Sequence, residues 1–181
     1  AEGVQLRQAG IQARILVLGY CLPQQARLVV EHTLTPTVTT LETAEALANH
    51  VSSQAQPFAI HLKLDTGMGR LGLLPSEVPS FAAALCQIPT LNVEGVFSHL
   101  AVADEADISF NQQQFQAYQA AIHAIQTAGI KPSIQHIANS AATMAYPTMH
   151  QQLVRLGIGL YGSVIPNTKP IMELKTEIIQ L

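Results

Sequence analysis

Short apolar runs alternate with amphipathic segments along most of this chain, an order that predicts repeated β-then-α units. Arg14–Gly19 reads Arg-Ile-Leu-Val-Leu-Gly, a continuous run suited to a parallel strand covered on both faces. Thr35–Thr39 is β-branched apart from one proline. Phe58–Asp65, Val93–His99, Ser133–Ala138 and Leu153–Gly157 bring the predicted strands to six. The intervening segments carry helix signals. Thr39-Thr-Leu-Glu42 has capping-box spacing, and Leu41, Ala44, Leu47 and Val51 recur on one side after it. Ser76 is placed to cap a helix with Pro79 in its first turn and a stripe of Val78, Phe81 and Leu85. Phe115, Tyr118, Ile122 and Ile125 form another stripe, stopped by Gly129 and Pro132, with the Gln112–Gln114 run on its wet face.

This order predicts an α/β fold: a parallel sheet with helices outside it. The pattern alone leaves an open sheet and a closed barrel both possible. In either, chemistry gathers at the C-terminal ends of the strands, and polar motifs follow four of the six predicted strands there. A complete (β/α)8 barrel needs eight strands and ~250 residues. With 181 residues, the reading is about six of its eight βα units, the first two strands lying outside this sequence. Residues 1–170 are assigned to that partial barrel. Residues 171–181, whose last stretch Glu173–Leu181 alternates weakly, are assigned to the start of a C-terminal β domain.

Composition narrows the partners. Hydrophobic residues make up 48% and charged residues 12%, which excludes a disordered chain and leaves Gln, Thr and Ser to supply much of the polar surface. A net charge of -3 gives no footprint for nucleic acid or an anionic membrane. No apolar run approaches the ~18 residues of a spanning helix, and the first residues do not read as a signal peptide. Cys21 and Cys86 lie far apart, so the expectation is two buried thiols in a reducing cytoplasm and no metal site.

The strongest chemical signal is Lys63-Leu-Asp-Thr-Gly-Met-Gly-Arg-Leu-Gly72. With a period of two, His61, Lys63 and Asp65 share one strand face, while Ile60, Leu62 and Leu64 share the other. Ionisable groups on such a strand need partners or a ligand, and the glycines allow a tight turn and close approach. Three further segments follow in order: Glu94-Gly-Val-Phe-Ser-His-Leu-Ala101 with Asp104-Glu105, His136-Ile-Ala-Asn-Ser-Ala-Ala142, and Val154-Arg-Leu-Gly-Ile-Gly-Leu-Tyr-Gly162. Ser140 stands between a strand and a short helix-like run, where amides and dipole suit a phosphate. A plain helix cap at Asn139 or Ser140 is the alternative. Gly157-Ile-Gly159 offers a second set of amides.

Together these four motifs resemble the alanine racemases, which use pyridoxal 5'-phosphate (PLP), over nearly the whole chain. The resemblance implies a TIM-barrel domain and a set of site residues. Ser140, Gly157 and Ile158 match the residues that bind the PLP phosphate. Arg155 matches the arginine that donates to the pyridine nitrogen. His99 matches a histidine beside the ring that supports that arginine, Asn139 matches a site residue, and His136 stands one step behind. Arg70 matches the arginine that contacts the phenolic oxygen and helps place the substrate carboxylate. Lys63 matches a lysine that is often carbamylated, which would turn a repulsive neighbour of Arg70 into a partner; an unmodified lysine paired with Asp65 is the rival reading. Lys63, Arg70 and His99 are thus the predicted catalytic group.

The family's Lys-Ala-Asn-x-Tyr-Gly stretch, with the lysine that holds PLP covalently, is absent, and Lys63, Lys131, Lys169 and Lys175 all lack its context. The opposing tyrosine, which the partner subunit supplies in the family, is absent too. The resemblance therefore implies the middle of a cytoplasmic, homodimeric enzyme that interconverts L-alanine and D-alanine for peptidoglycan, with this chain inactive alone. Alternatives within the fold are a serine racemase or an amino-acid decarboxylase, although Met-Gly-Arg favours a racemase. A non-catalytic PLP-binding barrel and a PLP-independent phosphate-binding barrel are alternatives of other classes.

Overall fold

The computed structural model describes residues 1–51, 56–162, 165–173, 175–177 and 180. Its elements in chain order are α1 (Glu2–Gln8), β1 (Leu16–Tyr20), α2 (Ala26–Glu31), β2 (Thr35–Val38), α3 (Leu41–His50), β3 (Phe58–Lys63), α4 (Val78–Leu85), β4 (Leu91–Phe97), α5 (Ser109–Thr127), β5 (Ile134–His136) and α6 (Ser140–Ala145), with single 3₁₀ turns at Pro23–Gln25, Pro147–Met149 and Ile158–Tyr161. The strands form one parallel sheet in the order β1-β2-β3-β4-β5. Each successive strand adds beside the last, as in a winding β/α barrel.

The two faces of the sheet differ as the period-two pattern predicts. Val38 pairs with Leu62, and these with Ile60, Leu64, Val96 and Ile137 pack into one apolar core with Leu47, Phe81, Tyr118 and Ile125 from the helices. On the other face Thr37 pairs with His61, and Lys63 with Phe97, which pairs in turn with His136. Burial of these strand and helix side chains together drives the packing, since a fully buried Leu or Ile contributes roughly 1.5–3 kcal/mol.

Several sequence expectations need correction. Leu153–Gly157 is not a strand: beside β5 it makes one backbone bond, Arg155 N to Ala138 O (3.0 Å), with Gln152 N to Gln135 O (3.1 Å) just before it. The sheet thus has five strands. The α3 cap is Thr40, whose hydroxyl accepts from Thr43 N at 3.2 Å, one residue after the predicted box. At α4 the N-cap is Glu77, not Ser76; its carboxylate takes the Leu74 amide at 2.8 Å. Cys21 is buried as expected, but Cys86 is exposed, because it sits past the last apolar position of α4.

Gln114 is the most informative departure, since it is 1% exposed and not on a wet face. Its side chain accepts from Ala101 N at 2.9 Å and donates to His99 O at 3.1 Å. It ties α5 to the segment after β4. Of residues 171–181, those described carry no regular element; Leu174, Ile178, Ile179 and Leu181 of the predicted β segment lie outside the described residues.

Candidate active site

The loop after β3 is built around one carboxylate. Asp65 accepts from Gly67 N and Gly69 N at 3.0 Å each, and from Arg70 N at 3.1 Å. Burial works to raise the Asp65 pKa, but these three donors and the Lys63 charge outweigh it and hold the group below the usual carboxylate range. The loop then returns: Leu73 N donates to Lys63 O and Asp65 N to Leu73 O. Gly72 sits at φ +138, with its missing Cβ position 2.5 Å from Asp65 N, so only glycine fits where the two backbones meet. This turn carries Arg70, exposed, to the mouth of a hollow.

With Asp65 committed to the loop, the Lys63–Asp65 pair of the rival reading does not form. The Lys63 amine is buried with no hydrogen-bond partner among the described residues, 5.3 Å over the Phe97 ring. Burial, then Arg155 and Arg70, push its pKa down from 10.5 to about 8. A lysine so placed has an unusually large share of neutral, nucleophilic amine near neutral pH.

Arg155 reaches into the same hollow from the segment beside β5. It donates to Ser98 O (2.6 Å), Ile137 O (3.2 Å) and His136 Nδ1 (2.6 Å), and lies 3.5 Å from His99 Nδ1. No carboxylate pairs with it among the described residues. Burial lowers its pKa to about 10, so it remains a cation at any working pH. Burial and the charges of Arg155, Arg70 and Lys63 lower His99 to about 4. Burial with Arg155, His61 and Lys63 lowers His136 to about 2. Both imidazoles are neutral near pH 7.

At the far wall Asn139 caps α6, its Oδ1 taking the Ala142 amide at 3.0 Å and its Nδ2 donating to Leu100 O at 3.3 Å. The cap is thus Asn139, which leaves the Ser140 hydroxyl for another task. That oxygen accepts from Gly157 N (2.9 Å) and Gly159 N (3.1 Å), drawing the Gly157–Gly159 turn onto the start of α6.

All eight predicted site residues, Lys63, Arg70, His99, Asn139, Ser140, Arg155, Gly157 and Ile158, line one hollow of about 750 Å³. They come from the C-terminal ends of β3, β4 and β5 and from the stretch Arg155–Ile158 beside β5, on the side of the sheet where β/α folds place their sites. Residues 1–164 match the family described as "Alanine racemase, N-terminal domain".

The chain belongs to this family.

Among curated alanine racemases, that of Desulfovibrio desulfuricans is 39% identical over 98% of this chain and 50% of its own length. That of Symbiobacterium thermophilum is 43% identical over 89% of this chain and 43% of its own length. The alanine racemase structure from Clostridium difficile 630 superposes with a TM-score of 0.83 at 36% identity, covering 89% of this chain and 42% of that one. The chain therefore spans about half the length of the curated relatives it matches. In this alanine racemase domain the residues singled out from the sequence line one hollow, whereas those that support them were not singled out. Gln114 was hidden in a glutamine run, although counting back from Ile125 and Tyr118 by helical steps reaches Gln114 and Asn111, both buried. His136 is a direct partner of Arg155. Asp104 and Glu105, noted only as part of a motif, stand at the rim of the hollow. Among the described residues no helix is long and apolar enough to cross a membrane, and no three His, Cys, Asp or Glu side chains cluster to hold a metal.

Proposed function

We propose that this chain is the PLP-holding part of an alanine racemase, an isomerase that interconverts L-alanine and D-alanine and so supplies D-alanine for peptidoglycan. The observation that carries the reading is Arg155, a half-buried guanidinium facing the hollow with no carboxylate partner. Such a cation calls for an acceptor that cannot easily take its proton, and a pyridine nitrogen is one. PLP, when bound, makes the Cα–H of an amino acid acidic.

The chain's own groups divide the remaining work. Guanidinium only donates, so Arg155 holds the ring nitrogen unprotonated. Arg155 would thereby leave bound PLP a weaker electron sink and favour return of the amino acid over its diversion to other products. Ser140, Gly157 and Ile158 take the phosphate, with Asn139 fixing the helix start behind them. In the described arrangement the Gly157 amide serves Ser140 Oγ, so phosphate would share or replace that bond. His99, neutral, packs beside the ring and buttresses Arg155. Arg70, held by the Asp65 turn, meets the phenolic oxygen and the substrate carboxylate. Lys63, an orphaned amine with a lowered pKa, takes up CO2 at Nζ with loss of a proton, and the carbamate then pairs with Arg70.

Two bases on opposite faces of the substrate remain to be supplied. None of the lysines here sits in the context of the covalent lysine, so that lysine and the opposing tyrosine belong to other parts of a homodimeric, cytoplasmic protein. In this reading residues 1–170 are the cofactor barrel and residues 171–181 open a β domain. Relatives are described in complex with cycloserine and with bound L-Ala-P, which supports a small amino-acid-like ligand. The test is the full coding sequence, purified and loaded with PLP. Racemisation of alanine, lost in Arg155→Ala, and a carbamate carbon signal from labelled bicarbonate, lost in Lys63→Met, are the expected results. PLP binding without turnover would make the protein a carrier, and no PLP binding would remove the proposal.

A further inference from the structure

Arg155 is joined to an anion, but only through two histidines. Its NH1 lies 2.6 Å from His136 Nδ1. His136 Nε2 lies 3.0 Å from His61 Nδ1. His61 Nε2 faces Glu94 Oε2 at 3.6 Å, and Arg14 holds the same carboxylate oxygen from outside. His136, His61 and Glu94 sit on β5, β3 and β4, with His61 and His136 both buried. Two features of β4 make the path. Ile60 pairs with Val93 and His61 with Gly95, so Glu94 is an extra residue that turns toward the interior. Gly95 leaves room for the His61 ring, which a Cβ there would overlap.

The direction of this chain is determined at both ends. A guanidinium has no acceptor, so His136 Nδ1 accepts and its proton is on Nε2. That proton points to His61 Nδ1, which leaves the His61 proton on Nε2, facing a carboxylate that only accepts. Both ends impose one register, and bonds aligned in series polarise one another. We propose that Glu94 is a positioning residue for Arg155: its carboxylate, 3.6 Å from His61 Nε2, orients an Arg155–His136–His61 hydrogen-bond chain that holds the guanidinium against its ligand. The proposal rests on the reading of Arg155 given above. Read as a plain surface ion pair, Glu94–Arg14 would be worth little and would influence nothing in the hollow.

Histidine nitrogen NMR on the full-length protein, with and without PLP, separates these. In the wild type His61 and His136 are expected neutral, each with a protonated Nε2 and a hydrogen-bonded, unprotonated Nδ1. Glu94→Leu is expected to move the His136 Nδ1 signal toward that of a free acceptor and to shift the absorbance band of bound PLP. It is also expected to lower kcat for racemisation by about three- to tenfold, the scale of a partly screened charge contact, with KM changed less than about twofold. Glu94→Gln, which keeps an acceptor of the same shape, lies between, and it carries the test if leucine prevents folding. Arg14→Ala leaves the histidine signals in place. A His136 proton on Nδ1, unchanged signals in both Glu94 variants, or an Arg14→Ala effect equal to that of Glu94→Leu would each overturn the proposal. If the wild type binds no PLP, the cofactor reading fails, and the histidine signals still decide the chain.

Discussion

His61, His99 and His136 have pKa values lowered by burial first and by nearby cations, while an unfolded histidine titrates near 6.5. Below that value the unfolded chain takes up protons that the native protein refuses until about pH 4 at His99 and about pH 2 at His136. The unfolded state therefore binds more protons, and stability rises with pH in this window. Their contribution is complete above about 6.5 and drains away below it, by up to about 1.4 kcal/mol per pH unit for each histidine. Urea unfolding at pH 7, 5.5 and 4.5 is expected to show that decline, flattened in His136→Phe. A flat profile for the unsubstituted protein would show that these imidazoles are free to charge in the fold.

At the scale of elements, the Asp65 turn does what a flexible loop cannot. It spends a carboxylate on three amides and in return holds Arg70 over the hollow. Gly72→Ala would force a Cβ to within 2.5 Å of Asp65 N at φ +138, and the expected cost is about 2–4 kcal/mol. Calorimetry should register this as a fall in Tm, and Gly69→Ala should cost less, because nothing lies within 4 Å of its Cβ position although φ is +68. The same scale shows why part of the fold was legible in advance. β3 announced its two faces, since apolar and ionisable residues alternate from Ile60 to Asp65 and both sets are buried. Leu153–Gly157 misled, because a short apolar run reads alike whether it pairs along its length or, as here, makes a single bond and turns a side chain inward. Gln114 misled for the opposite reason: composition says solvent, whereas the helical register says core.

For the molecule as a whole, the sheet ends at β1, where Leu18 and Tyr20 are exposed beside a second hollow of about 440 Å³ lined by α1 and α2. An uncovered parallel strand with apolar side chains is an invitation to pair. These 181 residues taken by themselves are expected to associate as concentration rises, as followed by light scattering. Leu18→Lys should suppress the association without altering the far-ultraviolet circular dichroism, and equal scattering from the variant would place the sticky surface elsewhere.

By itself the sequence determined the alternation of strands and helices, the apolar face of each, and the residues that gather at the strand ends, because periodicity and local chemistry suffice for those. Only the tertiary structure decided what each polar group does once there. Asp65 turned from Lys63 to the backbone, Gln114 became a clasp, and Arg155 acquired two histidines in series toward Glu94. Hydrogen-bond partners lie tens of residues apart, and which donor meets which acceptor is set by strand register and by one extra residue in β4, neither of which leaves a periodic trace in the chain.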